Sequence, residues 1–190
     1  MSTGFPLSVL SDSEPLVLNV SAGQEISTDG IEKVLGREPL HSELDALRRI
    51  RVVRLTDQIN SRIAGYGLGP VSGFVEVYDR HTTTLLAVNE PEERLFEDIA
   101  WRLIRENPLG YFRHDDFNAR TELRDDGEAE RHNGWAHLVA YFKPRDLRLE
   151  VKDGKLSLGK WQEPLFIDLD ANPPQERYLS LQLFYGLNSR

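Results

Sequence analysis

Three histidines in the chain sit beside groups that could put an imidazole to work: His81 in Arg80-His-Thr-Thr83, His114 in Arg113-His-Asp-Asp116 and His137 in Asn133-Gly-Trp-Ala-His137. A neutral imidazole is a good ligand for zinc, nickel, copper or iron, and three on one face with an open position can hold a catalytic ion. The same ring is the side chain best suited to proton transfer near neutral pH. Spacing does not choose between these uses and a role in capping or surface polarity. Asp115 and Asp116 read either as solvated loop charges or as an orienter of His114 and a general base. Arg80 and Arg113 each flank a histidine, and a guanidinium is suited to forked contacts with phosphate. Asn89-Glu90 follows the hydroxyl run Thr82-Thr-Thr84 and reads as helix capping or as substrate contact. His41 is expected at a helix start and His132 on the surface.

Composition narrows the chemistry. The chain has 190 residues and no cysteine, which removes disulfides, thiolate metal sites and a cysteine nucleophile together. Any metal must rest on His, Asp or Glu. The net charge of -8 argues against a broad nucleic-acid face but leaves room for a local basic pocket. No run approaches the roughly 18 apolar residues of a membrane span, and the first residues lack the cationic start of a signal peptide. A soluble, cytoplasmic protein with neither nucleic-acid nor membrane partner is the expectation.

The elements that must position these groups are legible in outline. Leu16–Val20 reads as a short strand, and 27–36 and 41–50 as short helices, the second with Leu44, Leu47 and Ile50 on one face. From residue 50 the pattern is regular: a strand over 50–55, a helix capped by Thr56-Asp57, a strand over 71–78 and another over 85–88, buried on both faces. The next helix is expected to take Pro91 as its first residue, with Glu90, Glu92 and Glu93 in its first turn, Leu95, Ile99 and Leu103 along its apolar stripe with Phe96 and Ala100 beside them, and Asn107-Pro108 at its end. A polar excursion over 111–130 carries Asp115, Asp116, Asp125, Asp126, Glu128 and Glu130. Asp153-Gly154 is a two-residue hairpin turn, and alternation over 161–170 and 177–185 marks two closing strands. Strands clustered at the end with helices earlier predict an α+β fold. Gly65-Tyr-Gly-Leu-Gly69 follows a helix and precedes a strand, the reverse of a dinucleotide loop.

Four motifs in order, His81-Thr-Thr-Thr-Leu-Leu-Ala-Val-Asn-Glu90, Arg113-His-Asp115, Asn133-x-x-x-His137-Leu138 and Asp153-Gly-Lys-Leu-Ser-Leu-Gly-Lys-Trp-Gln162, resemble the YjbQ family, also called the secondary thiamine-phosphate synthase family. The resemblance implies an α+β fold with a large mixed, mainly antiparallel sheet and a few helices, and a homotrimer with sites near subunit contacts. It divides the chain into an N-terminal extension over 1–50, without counterpart in the family, and a YjbQ-like domain over 51–190. It implies a His-rich pocket in which His81, His114 and His137 act catalytically with Asp115 and Glu90. The same three rings would ligate a divalent metal such as zinc, with Mg²⁺ for pyrophosphate. Thr82, Thr83, Asn89, Arg113, Asn133, Trp161 and Gln162 would contact substrate, and Arg80 or Lys160 would add charge. The implied activity joins a pyrimidine diphosphate to a thiazole phosphate with release of pyrophosphate. The alternative is a non-catalytic trimer that binds a metal or small anion in a regulatory or assembly role. The chain departs from the family at Trp135, where many relatives carry another histidine, at Pro91, Lys143 and Lys160, and in a longer loop between His114 and His137.

Overall fold

The computed structural model describes residues 7–122, 131–171 and 176–187; residues 1–6 and Asp125, Asp126, Glu128 and Glu130 of the acidic excursion lie outside them. Among the described residues ten strands and five α-helices follow in order: β1 (Ser8–Ser11), β2 (Leu16–Asn19), β3 (Gln24–Glu25), α1 (Ile31–Leu35), α2 (His41–Arg49), β4 (Arg51–Arg54), α3 (Thr56–Gly65), β5 (Val71–Asp79), β6 (Thr84–Asn89), α4 (Glu93–Glu106), α5 (Gly134–Tyr141), β7 (Asp146–Lys152), β8 (Lys155–Leu156), β9 (Glu163–Asp168) and β10 (Glu176–Leu187). The architecture is α+β. The antiparallel sheet divides in two: one runs β1-β10-β5-β7-β8, with β2 also on β10, and the other runs β3-β4-β9-β6. Every described pairing is antiparallel. Residues 8–25 thus supply strands to both sheets.

The sheets stack through Val75, Val77, Leu179, Leu181 and Leu183 of the larger and Val53, Leu86 and Phe166 of the smaller, with Ile59 and Ile63 of α3 closing one side. On its other face the smaller sheet offers Val52, Leu85, Leu165 and Ile167 to α2, α4 and α5. It is the middle of three layers. Burial on both faces is why Leu165-Phe-Ile167 and Leu85-Leu86 are unbroken apolar runs.

Local physics sets several boundaries. α3 starts at Thr56 without a side-chain cap of its own; Glu163 Oε1, from β9, accepts the N–H groups of Leu55 (3.0 Å) and Thr56 (2.9 Å) instead. A carboxylate from a neighbouring strand has replaced the local cap that Thr56-Asp57 suggested. Pro91 stands outside α4, whose cap is Glu92, accepting from Arg94 N at 3.1 Å and Leu95 N at 2.7 Å. The buried face of α4 centres on Phe96, Ala100 and Leu103 of the expected stripe together with Ile104, and leaves Leu95 and Ile99 half-buried. Asp153 and Gly154 both hold positive φ, 51° and 78°, as a two-residue hairpin turn requires. α5 carries no sequence periodicity because Trp135, Ala136, Leu138, Val139 and Ala140 make it apolar on most sides.

Candidate functional site

The corner between β5 and β6 is built on Asp79, which shares strand parity with the inward Val75 and Val77 and is wholly buried. Its Oδ1 accepts the His81 N–H at 2.9 Å and its Oδ2 accepts the Thr84 hydroxyl at 2.5 Å, so both ends of the corner hang from one carboxylate. His81 Nε2 accepts the Tyr178 N–H at 2.8 Å. A ring nitrogen that accepts carries no proton, so the neutral His81 holds its proton on Nδ1. Burial lowers its pKa, the nearby Arg177 lowers it further, and Asp79 and Asp168 pull the other way.

Beside it, Arg177 and Asp168 form a buried fork, with Nε to Oδ2 at 2.6 Å and Nη2 to Oδ1 at 3.0 Å. Asp168 Oδ1 also accepts Asp170 N at 2.9 Å, while the Asp170 carboxylate accepts from Asn133 Nδ2 at 2.9 Å and Arg131 Nη2 at 3.1 Å. Burial raises the Asp170 pKa, and Asn133 and Arg131 oppose that shift. One chain of charges therefore ties the end of β9 to β10 and to the segment that starts α5.

His114 lies in a single 3-10 turn, Arg113–Asp115. Its Nδ1 is 3.0 Å from Asp115 Oδ1, which accepts the Gly134 N–H at 3.0 Å as well. An ionised carboxylate only accepts, so this contact places the His114 proton on Nδ1 and leaves Nε2 as an acceptor. Gly134 is needed here: a Cβ would stand 2.8 Å from Phe112 Cβ and 3.2 Å from Asp115 Oδ1. One turn into α5, the ring of His137 lies 4.8 Å from that of His114 at an angle of 46°. Burial lowers the His137 pKa, the neighbouring His114 adds to this, and a backbone hydrogen bond with Thr82 opposes it.

These groups meet at a cleft of about 340 Å³ lined by Arg80, His81, Thr82, Thr83, His114, Arg120, Arg131, Asn133, His137, Asp170 and Arg177. Of the residues singled out in the sequence, His81, His114, His137, Thr82, Thr83, Asn133 and Arg80 line it, and Asp115 reaches it through His114. Asn89 and Glu90 do not. They are exposed at the far end of β6, five residues and about 17 Å along the strand from Thr84. Trp161 and Gln162 are exposed near that same end, before Glu163, which pairs with Asn89; Lys160 stacks on Trp161 there, and Arg113 is exposed and does not line the cleft. Trp135 is buried and donates from Nε1 to Asn107 O at 2.7 Å, a core position. His41 and His132 are exposed, the first paired with Asp45 at 3.1 Å.

The three rings gather at one cleft. His81 Nε2 is occupied by the Tyr178 N–H and His114 Nδ1 by Asp115. Among the described residues no group of three or more His, Asp or Glu is placed to hold a metal. The cleft's charge instead comes from residues the histidine motifs do not include: Arg120, Arg131 and Arg177. Arg177 and Asp79 could have been found, because each continues the inward parity of an apolar strand, Arg177 with Leu179, Leu181 and Leu183, and a charge on that face must be paired. Arg120 and Arg131 carry no such signal.

The profile of the family described as UPF0047 protein YjbQ-like matches residues 41–185. The chain belongs to this family. The match opens at α2, inside the segment read as an extension. A UPF0047 protein of Archaeoglobus fulgidus is 34% identical over 129 residues, 67% of this chain and 88% of its own. A second, from Methanothermobacter thermautotrophicus, is 25% identical over 136 residues, 72% and 84% of the two chains. Among solved structures, a hypothetical protein from Aeropyrum pernix K1 superimposes with a TM-score of 0.58 at 33% identity, covering 74% of this chain and 92% of that one. A YbjQ-like protein of unknown function from Sulfolobus solfataricus P2 gives 0.62 at 22% identity over 95% and 99%, a likeness of fold. No helix among the described residues is long and apolar enough to cross a membrane.

Proposed function

We propose that the histidine-lined cleft binds the phosphates of a small substrate and performs the thiamine-phosphate-synthase-type transfer that the family resemblance implies. The observation that carries this reading is the cleft's composition: four arginines and three imidazoles against one lining carboxylate, in a chain of net charge -8. An acidic protein that concentrates cationic and hydrogen-bonding groups at one concavity favours an anion there. In the transfer, the bond from the pyrimidine methylene carbon to the diphosphate oxygen breaks and its electron pair leaves with pyrophosphate. A lone pair on the thiazole nitrogen forms the new C–N bond.

Each residue then has a task. Arg80 makes no ion pair among the described residues and donates to Ser180 Oγ, so its charge is available to the leaving diphosphate. Mg²⁺, if it enters with the diphosphate, would supply further neutralisation. His114, held by Asp115, accepts or relays a proton at Nε2, and His137 beside it is drawn toward its charged form when an anion enters. Arg177 and Arg131, braced by Asp168 and Asp170, hold the wall in place. Glu90, Asn89, Trp161 and Gln162 are too far away to act in the same chain. In the homotrimer that we also propose, a second copy brings them to its neighbour's cleft. Leu138, Tyr141 and Phe142, which are 52%, 79% and 78% exposed on and just after α5, are apolar surface for that contact.

The test is formation of thiamine phosphate and pyrophosphate from the two precursors by purified protein. Wild type forms both, and His137→Gln lowers kcat/KM by at least about tenfold. Equal rates, or no product from wild type, overturn the transfer. Pyrophosphate binding without turnover supports the non-catalytic anion-binding alternative, which the internal pairing of Arg177 and Arg131 favours.

A further inference from the structure

A second cavity, of about 600 Å³, lies against the cleft and shares Asn133 and Asp170 with it as a common wall. α2, the segment after α4 and the start of α5 enclose it, and Ala46, Leu109, Phe112 and Trp135 supply its apolar surface. The volume is that of a small-molecule pocket, large enough for one or two fused rings. Its frame is fixed from both sides: Trp135 Nε1 is bonded to Asn107 O, and Arg49 of α2 donates to His132 O at 2.8 Å. Its lining carries Asp45, Asp115, Asp116 and Asp170 with Arg49; Asp170 is paired with Arg131 and Arg49, and Asp45 with Arg48 and His41, while Asp115 and Asp116 face it from the segment after α4. The neighbouring cleft has the opposite balance, four arginines against one aspartate.

We propose that this chamber binds a flat heteroaromatic ring that carries positive charge. The apolar and aromatic lining removes the ring from water, and the face of an indole attracts a cation. The carboxylates exclude an anion of the same shape. Asp116 illustrates their spare capacity: its Oδ2 accepts the Tyr111 hydroxyl at 2.8 Å, and a carboxylate offers about four acceptor positions. The inference deepens the reading of the cleft as a phosphate site and rests on it. A cationic ring and a phosphate would then sit on opposite sides of one wall, Asn133 and Asp170, and Asp115 would feel the ring on one side and His114 on the other.

The test uses calorimetry on the full chain with three probes: 1-methylquinolinium, the similarly shaped anion 1-naphthoate, and inorganic pyrophosphate. The cation binds at one site per chain and 1-naphthoate binds at least about tenfold more weakly. Gly110→Trp, at a lining position where an added Cβ meets no atom within 4 Å, blocks the chamber. It weakens the cation at least about tenfold and leaves pyrophosphate within about twofold. Ser42→Trp, on the exposed side of α2, serves as an independent block. Equal binding of cation and anion, cation binding indifferent to both blocks, or no cation binding while pyrophosphate binds, each overturns the chamber alone. Failure of pyrophosphate to bind overturns the cleft reading.

Discussion

At the scale of single residues, the account turns on how each imidazole is held. Asp115 gives His114 its tautomer, so Asp115→Asn, which keeps the shape and removes the charge, lowers kcat/KM by about tenfold while the melting temperature stays near that of wild type. His137 carries a pH signature. Burial and His114 place its pKa below the ordinary 6.5, so as pH falls through 6.5 the unfolded chain takes up the proton first and the native state loses stability until the depressed native pKa is passed. His81 acts in the same direction. Asp170, raised from 3.8 by burial, acts oppositely, between its raised value and 3.8. Thermal unfolding should therefore move to lower temperature between about pH 7.5 and about 5.5, and by less in His137→Gln. An equal fall in both proteins would show that this ring does not titrate as its surroundings require.

At the scale of elements, the cleft depends on strand ends held by charges. Removing one partner of the buried Arg177–Asp168 fork leaves the other unpaired. Arg177→Met should cost about 3 to 5 kcal/mol in urea unfolding, and adding Asp168→Leu should restore much of it. Glu163→Ala should cost about 1 kcal/mol by freeing the first N–H groups of α3. The same elements show what the sequence made legible. The strands over 71–79 and 176–187 were readable because one face is buried and the other is not, so alternation survives. The start of α3 was legible at Thr56 but its cap was not, because the capping carboxylate is Glu163, more than a hundred residues on, which no local pattern encodes. α5 was invisible as a helix because it is apolar nearly all round. The convergence of His81, His114 and His137 was legible through the ordered motifs. The fate of Asn89, Glu90, Trp161 and Gln162 was not, since motif order carries no distances and these residues gather at the opposite end of the smaller sheet.

At the scale of the whole molecule, the layered sheets place a cationic cleft and an acidic chamber on one side of a protein that is acidic overall. The apolar surface at Leu138, Tyr141 and Phe142 borders the same region, so assembly and site are expected to depend on each other. Sedimentation of Tyr141→Lys together with Phe142→Lys should show a smaller species than wild type. Unchanged mass would remove that surface from the contact. The central claim, that the histidine-lined cleft is an anion site, is tested most directly by titrating inorganic pyrophosphate into wild type and into the joint Arg80→Ala, His137→Gln variant. The account predicts one diphosphate bound per cleft, weakened at least about tenfold in the variant. Absence of binding to wild type, or equal affinity in the two proteins, would contradict it.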